Sequence, residues 1–433
     1  MYSDITDIFL SSIRALRFYV NSVEENIDYP MTEVNEVSAE TISALLMRVV
    51  LMGKKHGRIL TDDIQYPENM PKDAIDFLND TISRFEKLIT EKEIDGKKTY
   101  QFKYVPKKIK KEYERFDMIE KQGDILYSGA LMLLVTYFEN LVAGVLKKDF
   151  IKHPQRVSLD EKSVSYKLLA EVGDIEEIKN ILIDQEITNR MYGSFEDWKN
   201  FFQKNIKLKL TSWNKSFEHL QEIIARRNLF VHNNGIINNI YIKLVKEMDS
   251  SFIGKHIGIS REYIDDAIDT IEYLGIALVL EAWIKEYADV EEEIKNITDM
   301  IYEEYLENEK WEMAKHFYEI CLENPKILSA DKMLCSINCW QCYKWLGEYE
   351  KIRDDVEKVD VSAYKPMYTL GILALKGEYK KFFEYYDNQT DIGEDELKEW
   401  PLFRELRNSQ EFQERFPEVI DGEKEKVTKE VAS

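Results

Sequence analysis

Long stretches without helix-breaking residues are the feature that most constrains this chain. Only 9 prolines and 17 glycines occur among its 433 residues, whereas hydrophobic residues make up 44% and charged residues 32%. Proline and glycine are the residues that disfavour helices most, so their scarcity favours long amphipathic helices. We therefore predict an all-α protein with enough apolar material for several buried cores.

The cysteines and the apolar segments indicate where such a chain would reside. Four cysteines in so long a chain do not form a disulfide framework and are typical of a reducing compartment. The N-terminal stretch carries Asp4 and Asp7 where a secretory signal would be basic. The most apolar stretch, 126–146, contains Glu139 and Asn140 and is interpreted as a buried helix. We expect a cytoplasmic protein that does not enter a membrane.

The N-terminal region, 1–112, combines helical periodicity with one short β pattern. Apolar residues recur at helical spacing in two segments before Pro71, which begins a third helix. An Asp95-Gly96 turn is followed by alternating Tyr100, Phe102 and Tyr104, and this pattern predicts a small β-hairpin. Helices followed by a hairpin could form a winged-helix-like module.

The central region, 113–290, is predicted to form one helical domain. Its helical patterns are interrupted at Pro154, at Gly193 and at the Asn-Asn-Gly sequence of 233–235. The helices are expected near 121–149, 163–172, 175–191, 195–206, 212–231 and 260–287.

The third region, 291–420, is predicted to form short antiparallel helix pairs. Trp311, Tyr349 and Tyr379 each fall in the first turn of a second helix, and the latter two end the phrases LGEY and LKGEY. These phrases resemble degenerate tetratricopeptide repeats, of which the region would hold at most three copies. The resemblance implies a C-terminal α-solenoid. A helix over 400–416 would cap the array.

The net charge of −22 is unevenly distributed along the chain. Residues 287–433 hold 35 acidic and 20 basic side chains, whereas residues 1–286 hold 46 and 39. Lysine and arginine drive phosphate binding, so the acidic repeats disfavour nucleic acid and suit a protein partner or trigger. The nearly balanced remainder leaves room for a local basic site, although its lysine clusters at 107–111 and 204–209 are first interpreted as solvated helix faces. The charged tail, 421–433, is expected to be disordered.

The chemically most informative stretch is 222–241, EIIARRNLFVHNNGIINNIY. On a helix, Asn228 and His232 share one face because they are four residues apart, and Arg227 lies beside Asn228. An imidazole can transfer protons near neutral pH, and a guanidinium suits a phosphate or a phosphorane-like transition state. The purely structural alternative is that Arg227 pairs with a carboxylate and His232 caps the helix.

The stretch resembles the signature of the HEPN superfamily of helical ribonucleases and nucleotide-binding proteins, in which a histidine follows an arginine after a short spacer. Arg227-Asn228 followed by His232 matches the form with a polar residue after the arginine, and Arg226 also satisfies the spacing. The acidic residue that the family carries on an early long helix would correspond to Glu139. The resemblance covers about 115–290, and it implies a HEPN-like helical bundle for the central region.

The resemblance further implies metal-independent endonucleolytic cleavage of RNA, without a cofactor, in a composite cleft of a homodimer. The RNA 2′-hydroxyl would attack the adjacent phosphate, His232 would act as general acid or base, and Arg227 would stabilise the developing charge. Asn228 would orient the histidine or the phosphate, and Glu139 would hold the arginine or the histidine. The residues expected to contact the substrate are Arg226, Asn233 and Tyr241.

The family resemblance also suggests a toxin or an abortive-infection effector in prokaryotic defence. Its activity would be regulated through the helical repeats. The alternative is a non-catalytic nucleotide-binding or protein-interaction scaffold. A scaffold would have no need of both Arg227 and His232, so the sequence favours the ribonuclease.

Three cysteines of the repeat region have a spacing that also occurs in metal proteins. Cys335, Cys339 and Cys342 match the spacing of radical S-adenosylmethionine enzymes, and zinc could be bound with Cys321 or His316 as a fourth ligand. The three thiols are predicted to lie inside a helix of the repeats, where small apolar side chains pack. We therefore predict no metal site.

Overall fold

The computed structural model describes residues 2–26, 39–55, 70–94, 97–157, 163–245, 248–389 and 394–416. These residues are mainly helical, and the only sheet among them has two strands. The prediction of an all-α fold is therefore confirmed.

The N-terminal region contains helices and the hairpin. Helix α1 spans Tyr2–Glu25, α2 spans Ala39–Lys55 and α3 spans Lys72–Lys87. Strands β1, Ile89–Ile94, and β2, Lys97–Phe102, pair antiparallel. The hairpin prediction is confirmed, while the turn residues Asp95 and Gly96 lie outside the described residues.

The longest helix, α4, spans Lys107–Lys152 and runs through the predicted border between 112 and 113. Its buried side chains, among them Leu134 and Phe138, belong to the main core, as the interpretation of a buried helix requires. Within the described residues it is also the one helix long and apolar enough to cross a membrane by length and composition. Helix α1 packs along it and contributes Phe9 to the same core, so α1 is not packed as a separate unit.

The remaining central helices follow α4 along the chain. They are α5, Tyr166–Val172; α6, Ile175–Met191; α7, Phe195–Phe201; α8, Thr211–Lys215; α9, Phe217–Asn233; α10, Asn239–Leu244; and α11, Arg261–Tyr287. The expected helix over 195–206 continues beyond α7 as a π-helix, Phe202–Ile206. The expected helix over 212–231 is instead broken at Ser216, where α8 ends. Trp213 anchors α8, since its fully buried indole donates to the carbonyl of Leu274 on α11.

The C-terminal region consists of short helices. They are α12, Glu291–Ile301, extended by a π-helix, Tyr302–Leu306; α13, Trp311–Leu322; α14, Ser329–Trp345; α15, Arg353–Lys358; α16, Pro366–Lys376; α17, Tyr379–Tyr386; α18, Glu394–Glu399; α19, Arg404–Arg407; and α20, Gln410–Arg415. Trp311 and Tyr379 begin second helices as predicted, whereas Tyr349 begins a 3₁₀ turn before α15. The prediction of a single capping helix over 400–416 is wrong. A 3₁₀ turn precedes α19, and Ser409 caps the start of a separate helix, α20. The tail at 421–433 lies outside the described residues.

The hydrophobic core does not stop at the predicted border between 290 and 291. One continuous cluster of buried side chains joins α1, α4 and α11 to α13 and α14, and it ends at Cys342. A second cluster, from Ile337 to Phe412, fills the later helices. Because the central helices share a core with α13 and α14, they are packed as one body in this part of the chain.

Candidate functional site

The candidate site lies at the C-terminal end of α9, where the helix leaves the main core. Leu220 and Ile223 are fully buried in that core, whereas Leu229 packs into a small separate cluster formed with Ile237 and the loop after α9. Asn234 ends the helix in the left-handed conformation, with φ of 49°. This arrangement holds the last turns of α9 against the bundle while one side of them faces solvent.

Glycine is required directly after this helix end. Gly235 has φ of 72°, and a Cβ atom built there would lie 2.7 Å from Nε2 of His256. The main chains of Gly235 and Ile257 also meet, since the amide of Ile257 donates to the Gly235 carbonyl at 2.9 Å. The Asn-Asn-Gly sequence therefore closes the helix onto the loop that carries His256.

Arg227 on α9 pairs with Glu139 on α4. Its Nη2 donates to Oε1 of the carboxylate, and the two side chains are 18% and 29% exposed. The Nε atom of Arg227 is buried and has no hydrogen-bond partner among the described residues. The ion pair is charge-assisted and partly shielded from water, so it holds the guanidinium in one position.

Asn228 and His232 lie on the exposed side of α9, one helical turn apart. Neither side chain forms a hydrogen bond or an ion pair within the part of the chain that the structure describes. The helix end is capped by the backbone amide of Asn234, which donates to the Leu229 carbonyl, so His232 does not act as the cap. An exposed amide and imidazole without a structural task remain available to a ligand.

Arg227 and His232 are not joined within one chain. They are five residues apart, which places them about 140° from each other around a helix of 100° per residue. No hydrogen bond links them in the described structure, and the guanidinium is directed to Glu139. A site that uses both groups therefore needs the substrate, or a second chain, to bridge them.

Arg226 lies in a different network, centred on Glu222. Its Nε donates to Glu222 Oε1 at 2.6 Å, and its guanidinium carbon lies 3.9 Å from the ring centre of Tyr263. The hydroxyls of Tyr241 and Tyr263 donate to Glu222 at 2.5 and 2.7 Å. Burial raises the pKa of both tyrosines, and the neighbouring carboxylate adds to that rise. The four side chains form one polar network that links α9 to α10 and α11.

This network corrects two expectations about substrate contact. Tyr241 is only 2% exposed and its hydroxyl is already bonded, so it cannot reach an RNA strand. Arg226 donates from Nε to Glu222 and from Nη1 to the carbonyl of Gly258, and its guanidinium lies over the ring of Tyr263, so it is held within the protein.

Asn233 was also expected to contact the substrate, and the structure gives it a different task. Its side-chain amide donates to the carbonyl of Ile236, two residues beyond Asn234. The side chain thus stabilises the turn that follows the helix, a usual role for asparagine at such positions.

Sequence reasoning missed the contacts of Glu222 and His256. Glu222 has a recognisable signal, because it precedes Arg226 by four residues on the same helix face. His256 has no such signal: it is brought to Gly235 and to the ring of Phe230, 5.9 Å away between centres, only by a loop more than twenty residues farther along the chain.

The repeat cysteines form part of the core. Cys321, Cys335, Cys339 and Cys342 are buried between α13 and α14. Burial raises the pKa of Cys339 to about 12 and raises that of Cys342. Metal ligation needs the thiolate, which this surrounding disfavours.

One group among the described residues has the spacing of metal ligands. Atoms of Asp149, His153 and Glu286 lie within 4.8 Å of one another. Arg156 already pairs with Asp149, and Lys152 pairs with Glu286 at 3.0 Å. Since both carboxylates have a cationic partner, we assign no metal to this group.

The chain matches no family model, no curated protein and no solved structure in the three comparisons with known proteins.

Proposed function

We propose that this protein is a metal-independent endoribonuclease of HEPN type. The observation that carries the proposal is the state of Asn228 and His232, which are exposed on one helix face and bonded to nothing in the described structure. Beside them, Arg227 is held by Glu139. These two polar groups are free to contact a ligand next to a fixed guanidinium, and phosphate chemistry uses all three.

In the proposed reaction the 2′-hydroxyl of the RNA attacks the adjacent phosphorus and displaces the 5′-oxygen of the next nucleotide. His232 takes the hydroxyl proton or gives a proton to the leaving oxygen. Arg227 stabilises the additional negative charge of the phosphorane, and Asn228 donates a hydrogen bond to the phosphate or to His232. The products are a 2′,3′-cyclic phosphate and a 5′-hydroxyl end.

We further propose that two copies of the chain form the working site. Arg227 and His232 point to different sides of α9, so a second copy of the helix supplies what one lacks. The exposed side of this region carries an apolar side chain that suits such a contact, since Val231 is 48% exposed beside His232. Apolar groups at the rim of a polar site favour association.

The proposed setting is the cytoplasm, where the enzyme would act as a toxin or abortive-infection effector in defence against phage. Its acidic repeats would bind a protein trigger. The shared core between α11 and α13 gives such a trigger a physical route to the bundle, because both helices belong to one cluster of buried side chains.

The experiment is cleavage of a mixed RNA pool by the purified full-length protein in the presence of EDTA. We expect cleavage products with 2′,3′-cyclic phosphate ends, and no cleavage of DNA of the same sequence. His232→Ala and Arg227→Ala should each abolish the products. Expression of the wild-type chain should arrest growth, and both variants should relieve the arrest.

The matched control is His219→Ala. His219 lies on the same helix, is exposed, and pairs with Asp266 at 2.9 Å, so it is a histidine with a structural partner. This variant should cleave at the wild-type rate. If the dimeric wild-type protein leaves every RNA uncut, or if His232→Ala cuts as well as His219→Ala, the chain is a scaffold rather than a nuclease.

A further inference from the structure

A cavity of about 500 Å³ lies where the central bundle meets the first repeat pair. Its walls come from the segment at 207–215, from α11, from α13 and from the turn after α13. We call it the lysine cavity, after Lys207, Lys209, Lys215, Lys285 and Lys326, which line it. Its volume falls in the range of about 300–1,000 Å³ that small-molecule sites usually have.

We propose that the lysine cavity binds a nucleoside phosphate. This ligand site is separate from the proposed cleavage site at the end of α9.

The charge of the cavity supports an anionic ligand. Its five lysines face three carboxylates, Glu281, Glu319 and Glu323, in a chain whose net charge is −22. Lys209 pairs with Glu323 at 2.7 Å. Lys207, Lys215 and Lys326 form no ion pair with any residue that the structure describes. Three unpaired ammonium groups around one cavity attract phosphate, and lysine binds phosphate as a point charge.

The lysine-bearing segment is held in an unusual backbone conformation. Lys207 and Leu210 both adopt the left-handed region, with φ of 65° and 49°, which side chains other than glycine seldom do. Glu281 on α11 holds the segment, since its carboxylate accepts from the Leu210 amide at 2.8 Å. Burial raises the pKa of Glu281. Because the backbone of the segment is already fixed, binding has to order only the lysine side chains, and this lowers its cost.

An aromatic wall supports the nucleoside part of the ligand. The rings of Tyr273 and His316 are 5.7 Å apart between centres, and both line the cavity. Phe317 stacks on Tyr273 at 5.8 Å and fixes its ring, while the Tyr273 hydroxyl donates to Ser212 at 3.0 Å. Bases bind to proteins by stacking on such rings, and lysines alone would not distinguish a nucleotide from a simple phosphate.

Position along α11 separates the two sites. Tyr263, which belongs to the network around Glu222, lies near the start of α11. Tyr273 and Glu281 follow ten and eighteen residues later. At 1.5 Å per residue, they lie about 15 and 27 Å farther along the helix. A ligand in the lysine cavity therefore does not occupy the end of α9.

The experiment is titration calorimetry of the full-length protein with ATP, and separately with pyrophosphate. We expect both to bind, ATP more tightly. The double variant Lys207→Glu, Lys326→Glu should lower the affinity for both ligands by at least about tenfold, because each change replaces an attraction by a repulsion. Tyr273→Leu should lower the affinity for ATP by about the same factor and leave the affinity for pyrophosphate unchanged. The helical circular dichroism should be retained in every variant.

The matched control is the double variant Lys332→Glu, Lys380→Glu. It makes the same change of charge at exposed lysines that do not line the cavity and form no ion pair within the described residues. It should bind ATP like the wild type. The proposal is overturned if ATP does not bind at millimolar concentration, if both double variants lose affinity equally, or if Tyr273→Leu weakens both probes alike. Binding of single-stranded RNA at these lysines without binding of ATP would also overturn it.

Discussion

The guanidinium of Arg227 on α9 forms an ion pair with the carboxylate of Glu139 on α4, and this pair joins the two helices that carry the candidate site. Glu139 interrupts the most apolar segment of the chain, so its charge needs a partner once α4 is packed. Arg227 supplies that partner and is in turn oriented by it. The stability of the helix contact and the position of the proposed catalytic arginine therefore depend on the same pair.

Glu139→Gln should lower the rate of RNA cleavage by about 10- to 100-fold, because small displacements of a catalytic group have effects of this size. In the proposed mechanism Glu139 acts through Arg227, so the loss should appear in kcat more than in KM. Single-turnover and steady-state cleavage assays measure the two quantities. Glu171→Gln, which removes an exposed carboxylate elsewhere in the central region, should leave both unchanged. Wild-type kcat in Glu139→Gln would show that the pair has only a structural role.

Glu222→Ala should lower the free energy of unfolding by about 2–4 kcal/mol, because it leaves the guanidinium of Arg226 and two tyrosine hydroxyls without their acceptor. Tyr263→Phe removes one hydroxyl from the same network and should cost only about 1 kcal/mol. Urea unfolding followed by circular dichroism measures both. Equal losses in the two variants would contradict the central role of Glu222.

Gly235→Ala should destabilise the protein more than Gly254→Ala. Both glycines have positive φ, 72° and 82°, so each substitution carries the backbone cost of about 1–2 kcal/mol. Only at Gly235 would the new Cβ also meet a side chain, Nε2 of His256 at 2.7 Å, whereas Gly254 has no atom within 4 Å. The difference between the two melting temperatures isolates this contact. Equal melting temperatures of the two variants would mean that the His256 loop moves aside at no cost in free energy.

Gly275→Ala should cost about 1–3 kcal/mol, since the added methyl would lie 2.8 Å from Phe9 on α1 and 2.9 Å from Leu141 on α4. Gly129→Ala on α4 is the opposite case. Its Cβ would meet nothing within 4 Å, so the gain in helix propensity should stabilise the protein by about 0.5–1 kcal/mol. Thermal unfolding of both variants tests the crossing of α1, α4 and α11. A neutral Gly275→Ala would mean that α1 is not packed there.

The buried cysteines should make stability decrease in alkaline solution. The pKa of Cys339 is raised to about 12 by burial, above the ordinary value of about 8.5 for an exposed thiol. Its contribution to stability is present below about pH 8.5 and is lost as the pH rises toward 12, because only the unfolded chain then releases the proton. Chemical unfolding between pH 7.5 and about 10 should show this decline, and Cys339→Ala should show less of it.

The same burial should protect the thiols from reagents. At neutral pH the folded protein should react slowly with a thiol-specific dye, and all four cysteines should react after unfolding in guanidinium. A fast reaction of one or more thiols in the folded protein would contradict the packing between α13 and α14.

The sequence alone predicted much of the local structure because local structure follows from spacing. Periodic apolar residues and scarce proline and glycine predicted the helices. The Asp95-Gly96 turn with the alternating aromatic residues after it predicted the hairpin. The placement of Asn228 and His232 on one face follows from their separation by four residues. Helix ends were predicted less well, as the break at Ser216 shows. The helix that ends there carries Trp213, whose buried indole bonds to Leu274, and spacing does not predict so distant a contact.

The tertiary structure alone decided which neighbours each side chain meets. Arg226 and Arg227 are adjacent and chemically identical, and both satisfy the same sequence pattern. One of them meets Glu222 and Tyr263, and the other meets Glu139 on α4, because adjacent residues on a helix point about 100° apart. The burial of Tyr241, the core that the central helices share with α13 and α14, and the lysine cavity likewise arise from contacts between residues far apart in the chain. Periodicity determines the face on which a residue lies, and only packing determines what that face touches.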